Sequence, residues 1–239
     1  IIKFKMSKLF EDKFLSHLIG YKCYIANNSL SINYIKKLKK PFFITLRTKY
    51  KNKHTKRIID SIKIANLKIK LTSTMVSFER KYRENKKVYL NCREAKKNDI
   101  PQLKKICLED TSNSRFFNDL SLPLKFRKTY RAEWILNFFK KKRGDILIAA
   151  YKNKKVIGFI LMLKKSFGLQ IDLIVSSKNY QNKKVGTSLI NYVNNNFLKK
   201  DNIIKAGTQL DNVKANKIYK KLGFIKKKDK SYVYHIHSN

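Results

Sequence analysis

The sequence predicts a mixed α/β (α+β) fold: one mixed central sheet with helices on both faces, preceded by a smaller αβ segment. Two observations predict it. Short β-rich stretches alternate with stretches whose apolar residues recur every three to four positions, and from Val88 onward they follow the order βααβββαβαββ. The chain of 239 residues, 43% hydrophobic, is also long enough to bury one large core or two small ones.

The elements follow in order. "YKCYIA" (21–26), "FFITLR" (42–47) and "TMVSFER" (74–80) read as strands, and "TKRIIDSIKIANL" (55–67) sets Ile58, Ile59, Ile62 and Leu67 at helical spacing. The charged "RKYRENKK" (80–87) reads as a linker, which divides the chain into an accessory domain, 1–88, and a main domain, 89–239. "VYLNCREA" (88–95) is a strand. "KNDIPQLKKICLED" (97–110) is a helix, with Asn98 or Asp99 as N-cap and Pro101 in its first turn. An aromatic loop, 111–123, leads to a second helix, 124–142, and "RGD" (143–145) is a turn. "DILIAAY" (145–151), "VIGFILMLKK" (156–165) and "GLQIDLIVSS" (168–177) form a three-stranded meander. A helix (184–200), a strand (202–210) and a helix (211–223) follow, and "GFIKK" and "SYVYHIH" close the chain as two strands.

The formal charge of +40 attracts polyanions of any kind, and most of it reads as solvated lysine over an enzyme surface. A dedicated nucleic-acid module is not indicated, because basic and aromatic residues are not interleaved as such modules require. The longest apolar run, "VIGFILML" (156–163), is about half of the ~18 residues that a spanning helix needs. Cys23, Cys92 and Cys107 are scattered and odd in number, which points to a reducing, cytoplasmic setting. They form no metal pattern with the four His, so no metal is expected. Position 1 is not Met, so the chain begins upstream of a start at Met6 or is a fragment.

Two junctions carry the chemistry. At the first, the apolar strand "IDLIV" (171–175) runs through a polar turn into a helix starting near Lys184–Gly186. A helix start offers unpaired N–H groups and the positive dipole end, and glycine lets backbone approach phosphate oxygens. At the second, "DNVKANKIYKKLGF" (211–224) sets Asn212 and Tyr219 two helical turns apart on one side, and Gly223 suits the residue that ends the helix.

Together, "QNKKVGT" (181–187) and N212-x-x-A215-x-x-x-Y219-x-x-x-G223-F224 resemble the Gcn5-related N-acetyltransferase (GNAT) superfamily. That superfamily is marked by a Q/R-x-x-G-x-G/A turn and an N-x-x-A-x-x-x-Y-x-x-x-G-F helix. The second motif is complete; the first departs where Lys184 stands in place of glycine. The stretches 113–123, 130–160, 206–224 and 232–237 are further similar to bacterial nucleotide-sugar acetyltransferases of the TDP-fucosamine (dTDP-4-amino-4,6-dideoxygalactose) type, whose smaller leading domain residues 1–88 would supply.

The resemblance implies a GNAT acyltransferase fold and acetyl-CoA as co-substrate. It implies that Gln181, Lys183, Lys184, Val185, Gly186 and Thr187 hold the pyrophosphate. Leu173, Ile174 and Val175 would receive the pantetheine arm, with Asn212 and Ala215 nearby. Tyr219 is implied as the general acid that protonates the departing thiolate; a phenol of pKa ~10 is matched to a thiol. Asn212 is either a CoA contact or a helix cap. Asp172, mid-strand in an apolar run, is either a salt-bridged structural residue or a candidate base.

On the acceptor side, Arg115 is a candidate diphosphate clamp and Phe116 or Phe117 a stacking platform, against the alternative of a surface loop with a buried aromatic anchor. His235 and His237 project to one side of the last strand, where they either line the acceptor pocket or are edge-strand residues. The implied partners are small molecules: a CoA thioester and an amino-bearing acceptor, foremost a nucleotide-linked amino sugar. A peptide or protein amine, such as that of a ribosomal protein, is the alternative acceptor. The chain is compatible with a homodimer.

Overall fold

The computed structural model describes residues 9–27, 30–49, 53–109 and 114–238. Met6 and the loop positions 110–113 lie outside the described residues. The first segment forms β1 (Phe10–Glu11), α1 (Lys13–Ile19), β2 (Lys22–Ala26), α2 (Ile32–Lys36), β3 (Phe42–Thr48), α3 (Lys53–Ile64) and β4 (Lys68–Lys81). After it come β5 (Asn91–Glu94), α4 (Ile100–Glu109), α5 (Leu124–Phe139), β6 (Ile146–Lys152), β7 (Lys155–Lys165) and β8 (Gly168–Ser176). The chain ends with α6 (Val185–Phe197), β9 (Ile203–Gln209), α7 (Val213–Lys221) and β10 (Ile225–His237).

Ten strands form one mixed sheet in the order β1-β2-β3-β10-β4-β9-β8-β7-β6-β5. On one face, α4 and α5 pack through Leu103, Ile106, Ala132 and Ile135 onto Leu147, Phe159 and Leu161. On the same face, α1 and the start of α5 meet at Leu15, Phe43, Phe126 and Tyr130. On the other, α6 and α7 cover Val76, Phe78, Ile148 and Ile160. There too, α2 and α3 cover Ile44, Leu46 and Ile236.

The sheet and the core run across residue 88. β4 lies between β9 and β10, antiparallel to both, and Val76 and Phe78 belong to the same cluster as Ile204, Ala206 and Tyr219. The stretch expected to be a linker is fastened along α6. The buried Arg80 guanidinium, still in β4, donates to Asn191, Asn194 and the Leu222 carbonyl. The Asn194 and Asn195 carbonyl oxygens accept from the amides of Arg83 and Lys86, and Ser188 Oγ accepts from Tyr89. Positions three and four apart share a helix side, so an asparagine row can bind an extended strand residue by residue.

Other expectations shift locally. The two closing strands are one, β10, with a register shift between Lys226 and Lys230. The helix expected at 97–110 begins as a 3₁₀ turn, Lys97–Asp99, where the Asp99 carboxylate accepts from the Lys96 amide.

Candidate active site

The central feature is a gap in the sheet. β8 and β9 pair in parallel over only three positions, Gly168↔Ile203, Leu169↔Ile204 and Gln170↔Lys205. Beyond them β8 stays with β7 and β9 with β4, so the strands part. The parting begins at a bulge. Leu161 faces Leu173 and Met162 faces Ile171, which leaves Asp172 as the extra residue. Residues 171–176 and 206–209 thus form two walls whose facing backbone edges are unpaired with one another.

The polar turn lies where β8 hands over to α6. Asn182 and Lys184 both have left-handed φ, 63° and 59°. Lys184 thereby supplies the conformation that glycine would supply more cheaply. Its ammonium lies 4.0 Å from the Tyr89 ring centroid. Among the described residues the first helical amides, of Val185, Gly186 and Thr187, have no protein acceptor; the first bond back is from Ser188 to Lys184. A Cβ on Gly186 would meet only Ile174 Cδ1, at 3.9 Å. Gly186 is therefore not required by its protein neighbours, and its free face is the kind a phosphate can approach closely. Gln181 is tied to α7 by Lys214 Nζ at 3.3 Å, and Lys183 and Lys184 are exposed beside it. The chemistry of this donor set, amides at a dipole's positive end with flanking ammonium groups, suits an anion. Of the three strand residues, Leu173 and Val175 face the α4–α5 core while Ile174 packs toward α6.

α7 starts and stops by local rules. Asn212 Oδ1 accepts from the Ala215 amide at 3.1 Å, so its side chain acts as the cap. Gly223, at φ 78°, ends the helix with two back-bonds, Gly223 N to Lys220 O and Phe224 N to Tyr219 O. This double closure is the Schellman motif. Tyr219 is 4% exposed and packs between Phe78 and Phe224, each with its ring centroid 5.3 Å away. Burial raises its pKa well above that of an ordinary phenol. Ala215 packs on the same cluster, which also holds Ile171 and Ala206 from the two walls of the gap.

Asp172 is bound on both oxygens. Arg143 Nε and Nη2 donate to Oδ2 and Oδ1, each at 2.8 Å, and the guanidinium lies 3.9 Å from the Trp134 centroid. With both oxygens occupied by the bidentate guanidinium, the geometry favours the structural reading over the base. Arg143 is the residue the sequence did not point to, since "RGD" read only as a turn. An arginine just after a helix and an acid in an apolar strand were the two signals available.

The aromatic and histidine candidates lie deeper than expected. β10 is an interior strand, so His235 and His237 are not edge residues; they are 0% and 7% exposed. Both donate to one carboxylate oxygen, Asp119 Oδ2, from His235 Nδ1 at 2.5 Å and His237 Nε2 at 2.8 Å. Burial pushes His235 down to about 4, and its bond to Asp119 only partly opposes this, so the ring is neutral at pH 7. Despite burial, the two histidines hold Asp119 below the usual carboxylate range. Their three ligand atoms lie within 4.8 Å of one another, a spacing that also suits a metal ion. The nearby Arg115 charge, which lowers His235 further, opposes a cation there. Phe116 is buried, stacked on His235 with centroids 5.5 Å apart, and so serves as an aromatic anchor. Phe117 is half-buried beside Arg127, and Arg115 lies 4.4 Å over the Phe116 ring.

Comparison with known proteins agrees with this architecture. Residues 109–224 match the Acetyltransferase (GNAT) family. The chain is 27% identical over 139 residues to the spore coat polysaccharide biosynthesis protein SpsD of Bacillus subtilis, covering 58% of this chain. The matched stretch spans only 47% of SpsD, about half its length. Among solved structures, a functionally unknown conserved protein of Staphylococcus epidermidis shares the fold over 99% of this chain and 92% of its own, with a TM-score of 0.63 at 13% identity. A GCN5-related N-acetyltransferase of Sphaerobacter thermophilus covers 97% of this chain and 76% of its own, with a TM-score of 0.55 at 6% identity. The parted β8 and β9, the turn at 181–187 and α7 all lie within residues 109–224, the part of the chain that is similar to acetyltransferases of the GNAT family.

Proposed function

We propose that the protein transfers acetyl from acetyl-CoA to the amine of a nucleotide-linked amino sugar. The observation that supports the donor half best is the turn beside the parted strands, with free amides at 185–187 and an open face at Gly186. The sugar half is supported by the likeness to a polysaccharide biosynthesis protein. A neutral amine attacks the thioester carbonyl, the C–N bond forms, the C–S bond breaks, and sulfur leaves as a thiolate. Tyr219 would give that sulfur its proton. The raised pKa of the buried phenol keeps the donor protonated at every working pH. The bound Asp172 leaves the amine's proton to water rather than to that carboxylate.

The test is thiol release from acetyl-CoA across nucleotide amino sugars, polyamines and peptides. Release with the nucleotide amino sugars, reduced by roughly 10²-fold in Tyr219→Phe at unchanged melting temperature, is expected for a missing general acid. Release with peptides alone would overturn the acceptor assignment.

A further inference from the structure

The 47 lysines among 56 basic residues make each arginine informative, because a guanidinium was kept where lysine is the rule. Six of the nine are committed inside the chain. Arg80, Arg83, Arg93, Arg127, Arg131 and Arg143 each donate to a named acceptor. Arg57 is exposed on α3, far along the other face. Arg47 and Arg115 remain, and among the described residues neither forms an ion pair within 4 Å.

Both stand over one patch. On β3, Phe43 faces the α1–α5 side and Ile44 and Leu46 face the other, so the pleat puts Thr45 and Arg47 with Phe43. Thr45 pairs with His235 and Arg47 with Val233, and Val233 pairs in turn with Ser73 on β4. Arg115 sits over the Phe116 ring that stacks on His235. Four buried polar atoms here have no partner among the described residues: Thr45 Oγ1, Ser73 Oγ, His235 Nε2 and Arg115 Nε. Thr45 and His235 are at most 1% exposed, and buried orphans on one patch mark a place built to bind something polar. Burial pushes Arg115 down to about 10, with the charges of Arg47 and Arg143 adding to the effect. Arg47 keeps an exposed surface and is lowered by burial and by the charge of Arg143. Asp12 at the start of α1 opposes both shifts.

We propose that Arg47 and Arg115 together grip the diphosphate of the acceptor, so that β3, from the first 88 residues, completes the acceptor site. This rests on the nucleotide-linked reading above. Two guanidinium forks match diphosphate oxygens bidentately, and the Thr45 and Ser73 hydroxyls add donors. Arg143, whose charge acts on both Arg47 and Arg115, is bound to Asp172 at the bulge where the strands part.

The test is calorimetric titration of dTDP into the protein saturated with CoA, which occupies the other phosphate site. Arg47→Gln and Arg115→Gln are each expected to weaken dTDP at least ~10-fold, and to raise the acceptor KM by a similar factor with the acetyl-CoA KM unchanged. Arg57→Gln is the control. Arg47→Lys, which keeps charge and fold, is expected to recover only part of the affinity. Equal dTDP affinity in Arg47→Gln and wild type, or no dTDP binding by wild type, overturns the inference. Turnover of nucleotide amino sugars by the wild type judges the acceptor reading separately: turnover with an unchanged KM in Arg47→Gln sinks the grip and leaves the reading standing.

Discussion

Several helix ends in this protein place a residue in the left-handed region, and two of them meet the need in opposite ways. After α7 the position is Gly223, at φ 78°; before α6 it is Lys184, at φ 59°. The backbone demand is nearly the same, and a side chain at such φ costs about 1–2 kcal/mol. What differs is the space a Cβ would enter. At Gly223 it would lie 2.5 Å from both terminal nitrogens of Arg83, whose guanidinium donates to the Gly223 carbonyl. At position 184 the side chain is exposed and its ammonium lies over Tyr89, an attraction of about 0.5–1 kcal/mol that offsets part of the strain. Left-handed φ alone therefore does not dictate glycine; what occupies the Cβ direction decides. Lys184, where the resemblance implies glycine, holds the left-handed φ of the turn.

This contrast can be broken at three positions. Gly223→Ala carries the largest expected effect, a destabilisation of about 2 kcal/mol from strain plus displacement of Arg83. For a chain of this size the melting temperature should fall by about 4–8 °C, and a fall below about 1 °C would show that the Schellman closure can slip at no cost. Gly186→Ala is next and tests the opposite property. Its φ is not left-handed and its surroundings are open, so folding should be unchanged. CoA affinity by calorimetry should drop about tenfold, the worth of one charge-assisted hydrogen bond to a phosphate oxygen. Full CoA affinity in that variant would remove the turn from the cofactor site. The smallest effect separates Lys184→Gly from Lys184→Ala. Both take the ammonium away from the Tyr89 ring, and only glycine relieves the strain, so the glycine variant should be the more stable by about 1 kcal/mol in chemical denaturation. Equal stability would mean that the turn relaxes away from left-handed φ.

Several features were readable from the chain because they are local. Gly223 after "IYKKL" announces a helix end, Asn212 announces a start, and the turn–α6 junction follows from a strand, a polar run and a periodic helix. Both halves of the proposed donor site lie within a few residues of such signals. The proposed acceptor side was not readable in the same way. His235 and His237 alternate like residues of an exposed strand, and only the insertion of β10 between β3 and β4 buries them. Their partner Asp119 lies 116 residues from His235, in a loop whose composition said only that it was polar and aromatic. The charged stretch 80–87 read as a linker because charge and few apolar residues are what linkers share. Its backbone is nevertheless bound by asparagines more than 100 residues away.

The order of strands and helices, their approximate ends and the two motifs that mark the acetyltransferase domain were set by periodicity and capping, which act within about one turn or one strand pair. Which strands became neighbours, and so which side chains share a face, was decided only when the chain closed on itself. Burial there depends on the sum of distant partners: β4 joined β9 to β10, Arg143 found Asp172, and Arg47 came to stand beside Arg115's patch. Hydrogen bonding and the removal of apolar surface from water reward such contacts without regard to sequence separation, and for that reason no local pattern announces them.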